Sequence, residues 1–302
     1  MIESNYNKFI SLSENYLPLF KDEEHWKSGR AAEYCDAYLG VLEKLSRNAE
    51  KAGDTSELKL VLGFDGENNP AYWNVQKDNL LVTCGAGYGC SEYGFDIAFM
   101  DILLRYTKEQ IAYYFIAGES AVPYLLADDG RCKGYYSRFQ EGGGGEQNRK
   151  AAKSAEEVCR MVGDTISLRE NMSAEELKNQ PLIILAVING HLNYDEKLFE
   201  QTGDIFARGQ KTKVAVYASD TESLPPYNIV NYLKNRGDCA LLAGRTYDET
   251  YPEMLRISTE PAHIGGYEKD IMREAYYYFE GRVQKIYFCD GAISSVLSGQ
   301  KF

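Results

Sequence analysis

The spacing of apolar residues divides the chain into stretches of different character. From Glu24 to Ala52, the positions Ala31, Tyr34, Cys35, Tyr38, Val41, Leu42 and Leu45 recur every three to four residues, the period of a helix with one buried face. Gly53 and Asp54 supply a stop. The pattern predicts a helical N-terminal segment over 1–55, followed by an α/β domain over 56–302. That domain opens with a strand over 57–64 and a turn over 65–70. Leu80 to Cys84 then reads as a strand, about 95–107 as a helix and Ile111 to Ala117 as a strand.

Further on, Pro181 to Ile188 (PLIILAVI) is a continuous apolar run, as expected of a strand buried on both faces. A helix over 195–207, a strand from Lys213 to Ala218, a helix over 227–235 and a strand from Cys239 to Ala243 follow. A helix over 267–280 and a final strand from Lys285 to Cys289 complete the pattern. Strands alternating with helices predict a doubly wound, mostly parallel, Rossmann-like sheet. Between the two halves, residues 128–150 carry four consecutive glycines, Gly142 to Gly145, and predict a long inserted loop.

Charge and composition narrow the function classes. The chain has 33 Lys+Arg against 45 Asp+Glu, a formal net charge of −12. That excess opposes broad binding to a phosphate backbone, so nucleic acid is not an expected partner. No apolar run approaches the roughly 18 residues of a transmembrane helix, so no membrane partner is expected. The first residues lack the basic and apolar regions of a secretory signal. The 7 cysteines include no CxxC pair, and Cys84, Cys239 and Cys289 fall in apolar runs. This usage fits a reduced cytoplasmic protein rather than a disulfide framework or zinc site. With 3 histidines in all, no metal site is expected.

The main chemical signal is the stretch from Asn79 to Gly94, NLLVTCGAGYGCSEYG. An apolar strand ends in Gly85, Ala86, Gly87, Tyr88 and Gly89, and a helix follows. Glycines let a ligand approach the peptide amides, and a helix N-terminus favours an anion. The next strand leads to Glu119, farther along than the acidic partner of a dinucleotide fold, which stands about 20 residues on.

Three segments in order resemble the bacterial sirtuin-like NAD-binding families. GAGYGCSEYG is similar to their Gly-Ala-Gly turn and implies NAD contacts at Gly85, Ala86, Gly87, Gly89 and Ser91. Asn193, Tyr194 and Asp195 are similar to their Asn-Tyr-Asp stretch, which implies Asn193 and Asp195 beside the nicotinamide ribose. Gly244, Arg245, Thr246, Tyr247 and Asp248 are similar to a later segment near the adenosine, implying roles for Gly244, Thr246 and Asp248. The family's His-Gly between the second and third segments is absent, which leaves His191 beside Asn193 as the candidate base. The resemblance implies NAD as a substrate, in a glycohydrolase-like hydrolase. Each segment also follows a predicted parallel strand, so all three are expected at the carboxyl edge of one sheet.

Two alternatives stand beside this reading. One is an S-adenosyl-methionine-dependent methyltransferase, since Ser223-Leu224-Pro225-Pro226-Tyr227 resembles the motif of the amino-methyltransferases, with Leu224 where a polar acceptor belongs. The other is a non-catalytic nucleotide-binding or assembly protein. Self-association into a homo-oligomer is left open in every reading. Cys90 as a thiolate nucleophile and Asp128-Asp129 as a metal-binding pair are weaker: the first lacks a nearby downstream histidine, and adjacent loop carboxylates are ordinarily solvated.

Overall fold

Ile111–Ala117 (IAYYFIA) and Leu182–Ile188 (LIILAVI) are buried at every position, and they lie side by side in register. Such strands need cover on both faces, and that requirement organises the molecule. A computed structural model describes residues 57–67, 69–85, 93–117, 126–127, 129–137, 150–188, 196–221, 240–243, 272–279 and 282–289.

The strands are β1 (Lys59–Phe64), β2 (Pro70–Asn74), β3 (Leu80–Gly85), β4 (Ile111–Ala117), β5 (Cys132–Ser137), β6 (Leu182–Ile188), β7 (Val214–Thr221), β8 (Ala240–Ala243), β9 (Met272–Phe279) and β10 (Arg282–Cys289). The helices are α1 (Tyr93–Arg105), α2 (Ala155–Arg169), α3 (Ala174–Lys178) and α4 (Glu196–Thr212). All ten strands form one sheet in the order β2-β1-β10-β9-β8-β3-β7-β6-β4-β5. From β8 to β5 every pairing is parallel. From β8 to β2 every pairing is antiparallel.

Side chains alternate between the two faces of a strand, and the core divides accordingly. Leu182, Ile184, Ala186, Ala215 and Tyr217 share one cluster with Phe95, Phe99 and Ile102 of α1. Ile183, Leu185, Val187, Val214 and Val216 share the other with α2 (Val158, Val162, Ile166) and α4 (Leu198, Phe199, Ile205). Helix α2 starts at Ser154, whose side chain accepts from the Glu157 amide, and α3 starts in a reciprocal capping box between Ser173 and Glu176.

At the amino edge, a buried cation closes the sheet. Arg169, 4% exposed, donates from Nη1 to the carbonyls of Thr212 (2.9 Å) and Lys213 (3.1 Å) and from Nη2 to that of Pro181 (2.8 Å). It joins the end of α2 to the end of α4 and the entry of β6. Arg169→Met, which keeps the stem but not the donors, leaves carbonyls unpaired; a loss of about 2–3 kcal/mol is expected in urea unfolding.

Several expectations need correction. Within the helix expected over 267–280, the described residues 272–279 instead form β9, paired antiparallel with β10, with Tyr277 buried. Tyrosine favours the half-buried pleated surface, and pairing with β10, the next strand in the chain, and with β8 selects this state. Residues 128–150 are not loop throughout, since Cys132–Ser137 pairs with β4 as the edge strand β5. The turn expected to end at Pro70 leads into β2, and α2 fills a stretch for which no element was expected. The N-terminal helix and the 227–235 helix lie outside the described residues.

Candidate functional site

Strand β3 carries the Gly-rich turn at its carboxyl end, and the sheet places two parallel neighbours against it. Cys84 is in register with Asp220 of β7 on one side and Ala243 of β8 on the other, and Gly85 with Thr221. The strand order reverses here. The chain leaves β3 for β4, returns through β6 and β7, and then crosses β3 to reach β8. In open parallel sheets a ligand crevice lies outside the carboxyl ends at such a reversal.

The helix after the turn is anchored on both sides. Phe95, 2% exposed, packs edge-on against Phe115 of β4 at 5.7 Å and Tyr217 of β7 at 5.8 Å, and against Phe99 at 4.3 Å. One turn beyond Phe99, the helix is clamped to β1 by a buried ion pair. Arg105 donates to Asp101 from Nε (2.6 Å) and Nη2 (2.5 Å), and Nη2 also reaches the Lys59 carbonyl. The Val61 amide donates to the same Asp101 carboxylate at 3.0 Å. The Tyr106 hydroxyl donates to the Lys59 carbonyl at 2.6 Å. Complete burial pushes the Asp101 carboxyl above the usual carboxylate range, against the pull of Arg105. Burial also pushes the Tyr106 hydroxyl up to about 12. These contacts hold the first turn of α1 against β4 and β7 and its last turns against β1.

Of the residues expected to bind NAD, Gly85 is described, as the last residue of β3. Ala86, Gly87, Gly89, Ser91, His191, Asn193, Asp195, Gly244, Thr246 and Asp248 lie outside the described residues. The strands they follow are β3, β6 and β8, all ending at the same edge. β8 is next to β3, whereas β6 is separated from it by β7, a distance of about 10 Å at the usual strand spacing. Asp220 and Thr221 were not foreseen: the sequence pattern ended that strand at Ala218, and only the register with Cys84 and Gly85 brings them to the turn. Among the described residues, no group of three or more His, Cys, Asp or Glu could hold a metal ion.

The topology overturns the dinucleotide expectation. In the Rossmann order the strand that follows the Gly-rich turn in sequence pairs beside it. Here β7 and β6 intervene between β3 and β4. The end of β4, where the sequence leads to Glu119, is therefore about 14 Å from β3. The same separation removes the strand-end carboxylate expected of a methyltransferase.

Comparison with solved structures agrees. The chain is similar to EssC (ATPases 2 and 3) from Geobacillus thermodenitrificans, with a TM-score of 0.56 and 14% identity over 81% of this chain and 48% of that one. It is similar to the cytoplasmic domain of the type VII secretion ATPase EccC of Thermomonospora curvata, with a TM-score of 0.51 and 13% identity over 79% of this chain and 27% of that one. It is similar to the conjugation coupling protein TcpA of pCW3, solved in monomer form with ATPγS, with a TM-score of 0.53 and 12% identity over 82% of this chain and 69% of that one. The chain thus spans about half of the EssC chain and about a quarter of the EccC chain. No protein-family model matches the sequence, nor does any curated protein sequence. At these identities the likeness establishes the fold: the α/β architecture of these ATPases, not that of the sirtuin-like families. The reading as an NAD-consuming hydrolase with NAD as cofactor is withdrawn on that ground.

An ATPase fold implies a bound nucleoside triphosphate, and the residues present fit it in part. The Gly-rich turn between β3 and α1 suits a phosphate. Phosphate-binding loops of the form GxxxxGK[ST] also use a lysine that reaches the β- and γ-phosphates. Aligned on Gly89 and Ser91, that lysine falls on Cys90 and the first glycine on Cys84; no Gly-Lys pair occurs anywhere in the sequence. In sequence the glycines suit a phosphate, the lysine is absent, and no hydrolytic step follows from these residues. Among the described residues, no helix is long and apolar enough to cross a membrane.

Proposed function

We propose that this chain is a nucleotide-binding assembly module that holds a nucleoside triphosphate without turning it over at an enzymatic rate. The observation that carries this reading is the bracketing of β3 by β7 and β8, both parallel to it, at the point where strand order reverses. The site is the edge that runs from Gly85 to the start of α1. Peptide amides and the helix N-terminus supply the attraction for phosphate. With Cys90 where a lysine would stand, one fixed positive charge is missing, and the transition-state stabilisation on which phosphoryl transfer depends is reduced. In this reading residues 1–55 form a helical segment ahead of a doubly wound domain over 56–302. The module works in the cytoplasm, as the EccC structure is of a cytoplasmic domain, and assembles with copies of itself or a partner ATPase.

Calorimetric titration with ATP, paired with a phosphate-release assay, tests the proposal. ATP is expected to bind saturably and, at about 100 times its Kd, to stabilise the fold by roughly 2.7 kcal/mol. NAD is expected to do neither, and phosphate release to stay at the buffer rate. Cys90→Lys is expected to tighten ATP binding about tenfold. Absence of saturable ATP binding, or phosphate release proportional to protein concentration, would overturn the reading.

A further inference from the structure

A triphosphate at the carboxyl edge needs positive charge, and the segments that follow the parallel strands supply little of it. After β3 the first Lys or Arg is Arg105, which is committed to Asp101 at the far end of α1. After β4 it is Arg131, paired with Asp129. After β6 it is Lys197 in α4, whose charge acts on Glu156 of α2. After β7 it is Lys234, well beyond the end of the strand. After β8 it is Arg245, separated from Ala243 by Gly244 alone. Carboxylates are nearer to hand: Asp220 in β7, Glu222 directly after it and Glu92 before α1. We propose that Arg245 supplies the charge that the absent lysine would give, pairing with the β- and γ-phosphates of the nucleotide; the proposal rests on the nucleotide reading above.

Strand register and chain connectivity carry the argument, since Arg245 itself lies outside the described residues. Ala243 is in register with Cys84 on the adjacent parallel strand, which sets the two backbones about 4.8 Å apart. Two residues of chain reach at most about 7 Å. The Arg245 backbone therefore stays within about 12 Å of Cys84 whatever path Gly244 takes. Cys84 is followed by Gly85, the last residue of β3 and the start of the Gly-rich stretch. No other strand end delivers a cation so close. β6, which leads to Lys197, is separated from β3 by β7.

Arginine suits the task. Its guanidinium stays charged at any working pH, and its planar fork of donors matches two phosphate oxygens at once. A lysine within the turn acts as a point charge along the strand axis. An arginine entering from the neighbouring strand brings the same charge from the side, so Cys90 can be neutral and the polyphosphate still be held. Arg245 also offsets Asp220 and Glu222, whose charges would otherwise repel the phosphates.

The test measures ATP and AMP binding by calorimetry to the full chain and to Arg245→Gln. ATP is expected to weaken about tenfold or more, as for the loss of a hydrogen-bonded charge pair, while AMP, which lacks the two outer phosphates, changes little. Cys90→Lys is expected to restore ATP binding in the Arg245→Gln background, because it returns the charge from the turn. Labelling of the unmodified chain with phenylglyoxal does not depend on how the variant folds: ATP is expected to protect Arg245 from the reagent, and AMP to leave it reactive. Undiminished ATP binding by Arg245→Gln, equal losses for ATP and AMP, no recovery with Cys90→Lys, or labelling of Arg245 unaffected by saturating ATP would overturn the proposal. Failure of the unmodified chain to bind ATP would overturn the nucleotide reading and this proposal with it.

Discussion

Asp101→Ala lowers the unfolding free energy by about 3–5 kcal/mol, because it leaves Arg105 buried beside an empty space. The Asp101 side chain is fully buried and that of Arg105 is 6% exposed, so neither can turn to water. The loss extends beyond one ion pair. The carboxylate also accepts from the Val61 amide, and the guanidinium lies over the rings of Tyr72 and Tyr106. The pair therefore joins α1 to the antiparallel wing formed by β1 and β2. Asp101→Asn, which keeps the shape and one acceptor, is expected to lose less. Combining Asp101→Leu with Arg105→Met is expected to recover much of the loss, since an apolar pair of similar volume often replaces a buried ion pair at little cost. Guanidinium unfolding of the single and double variants reads all of this. Additive single effects in the double variant would show that the pair is not coupled.

Phe95→Ala costs about 3–5 kcal/mol by the usual penalty for removing a buried aromatic ring. Its consequence for the site is the more specific part. Phe95 stands in the first turn of α1 and contacts Phe115 and Tyr217 on two strands of the parallel block. Losing the ring frees the start of the helix from the sheet while the Asp101 clamp still holds its far end. ATP binding is therefore expected to weaken by more than it does in Phe99→Ala, whose cavity is of the same size but lies a turn farther from the phosphate edge. Melting curves with and without ATP for the two variants make the comparison. Equal effects of the two substitutions on ATP binding would separate the helix start from the site.

Much of the parallel block was legible from residues alone. Strands β4 and β6 are continuous apolar runs, and only strands with both faces covered carry such runs. Residues 276–278 show the limit: three consecutive tyrosines fit a helix face or a strand equally well by local pattern. Pairing of Tyr277 with Gln284 on the next strand and with Leu242 on β8 decides the matter, and the second of these has no local signature. β5 was obscured by its neighbours, because Gly142 to Gly145 coloured the whole region as loop.

Function was misread for a related reason. A Gly-rich stretch between a strand and a helix serves several ligands. What separates them is the identity of the strand lying beside β3. That strand is β7, more than a hundred residues away in sequence, and no periodicity reports it.

The most direct test of the account is the backbone amide signal of Gly85 in the full chain, followed as ATP is added. The account predicts a saturable shift at Gly85 and at Thr221, its register partner on β7, with Lys213 and Gln210 at the opposite edge unchanged. Shifts confined to the amino edge, or Gly85 unmoved at saturating ATP, would contradict it.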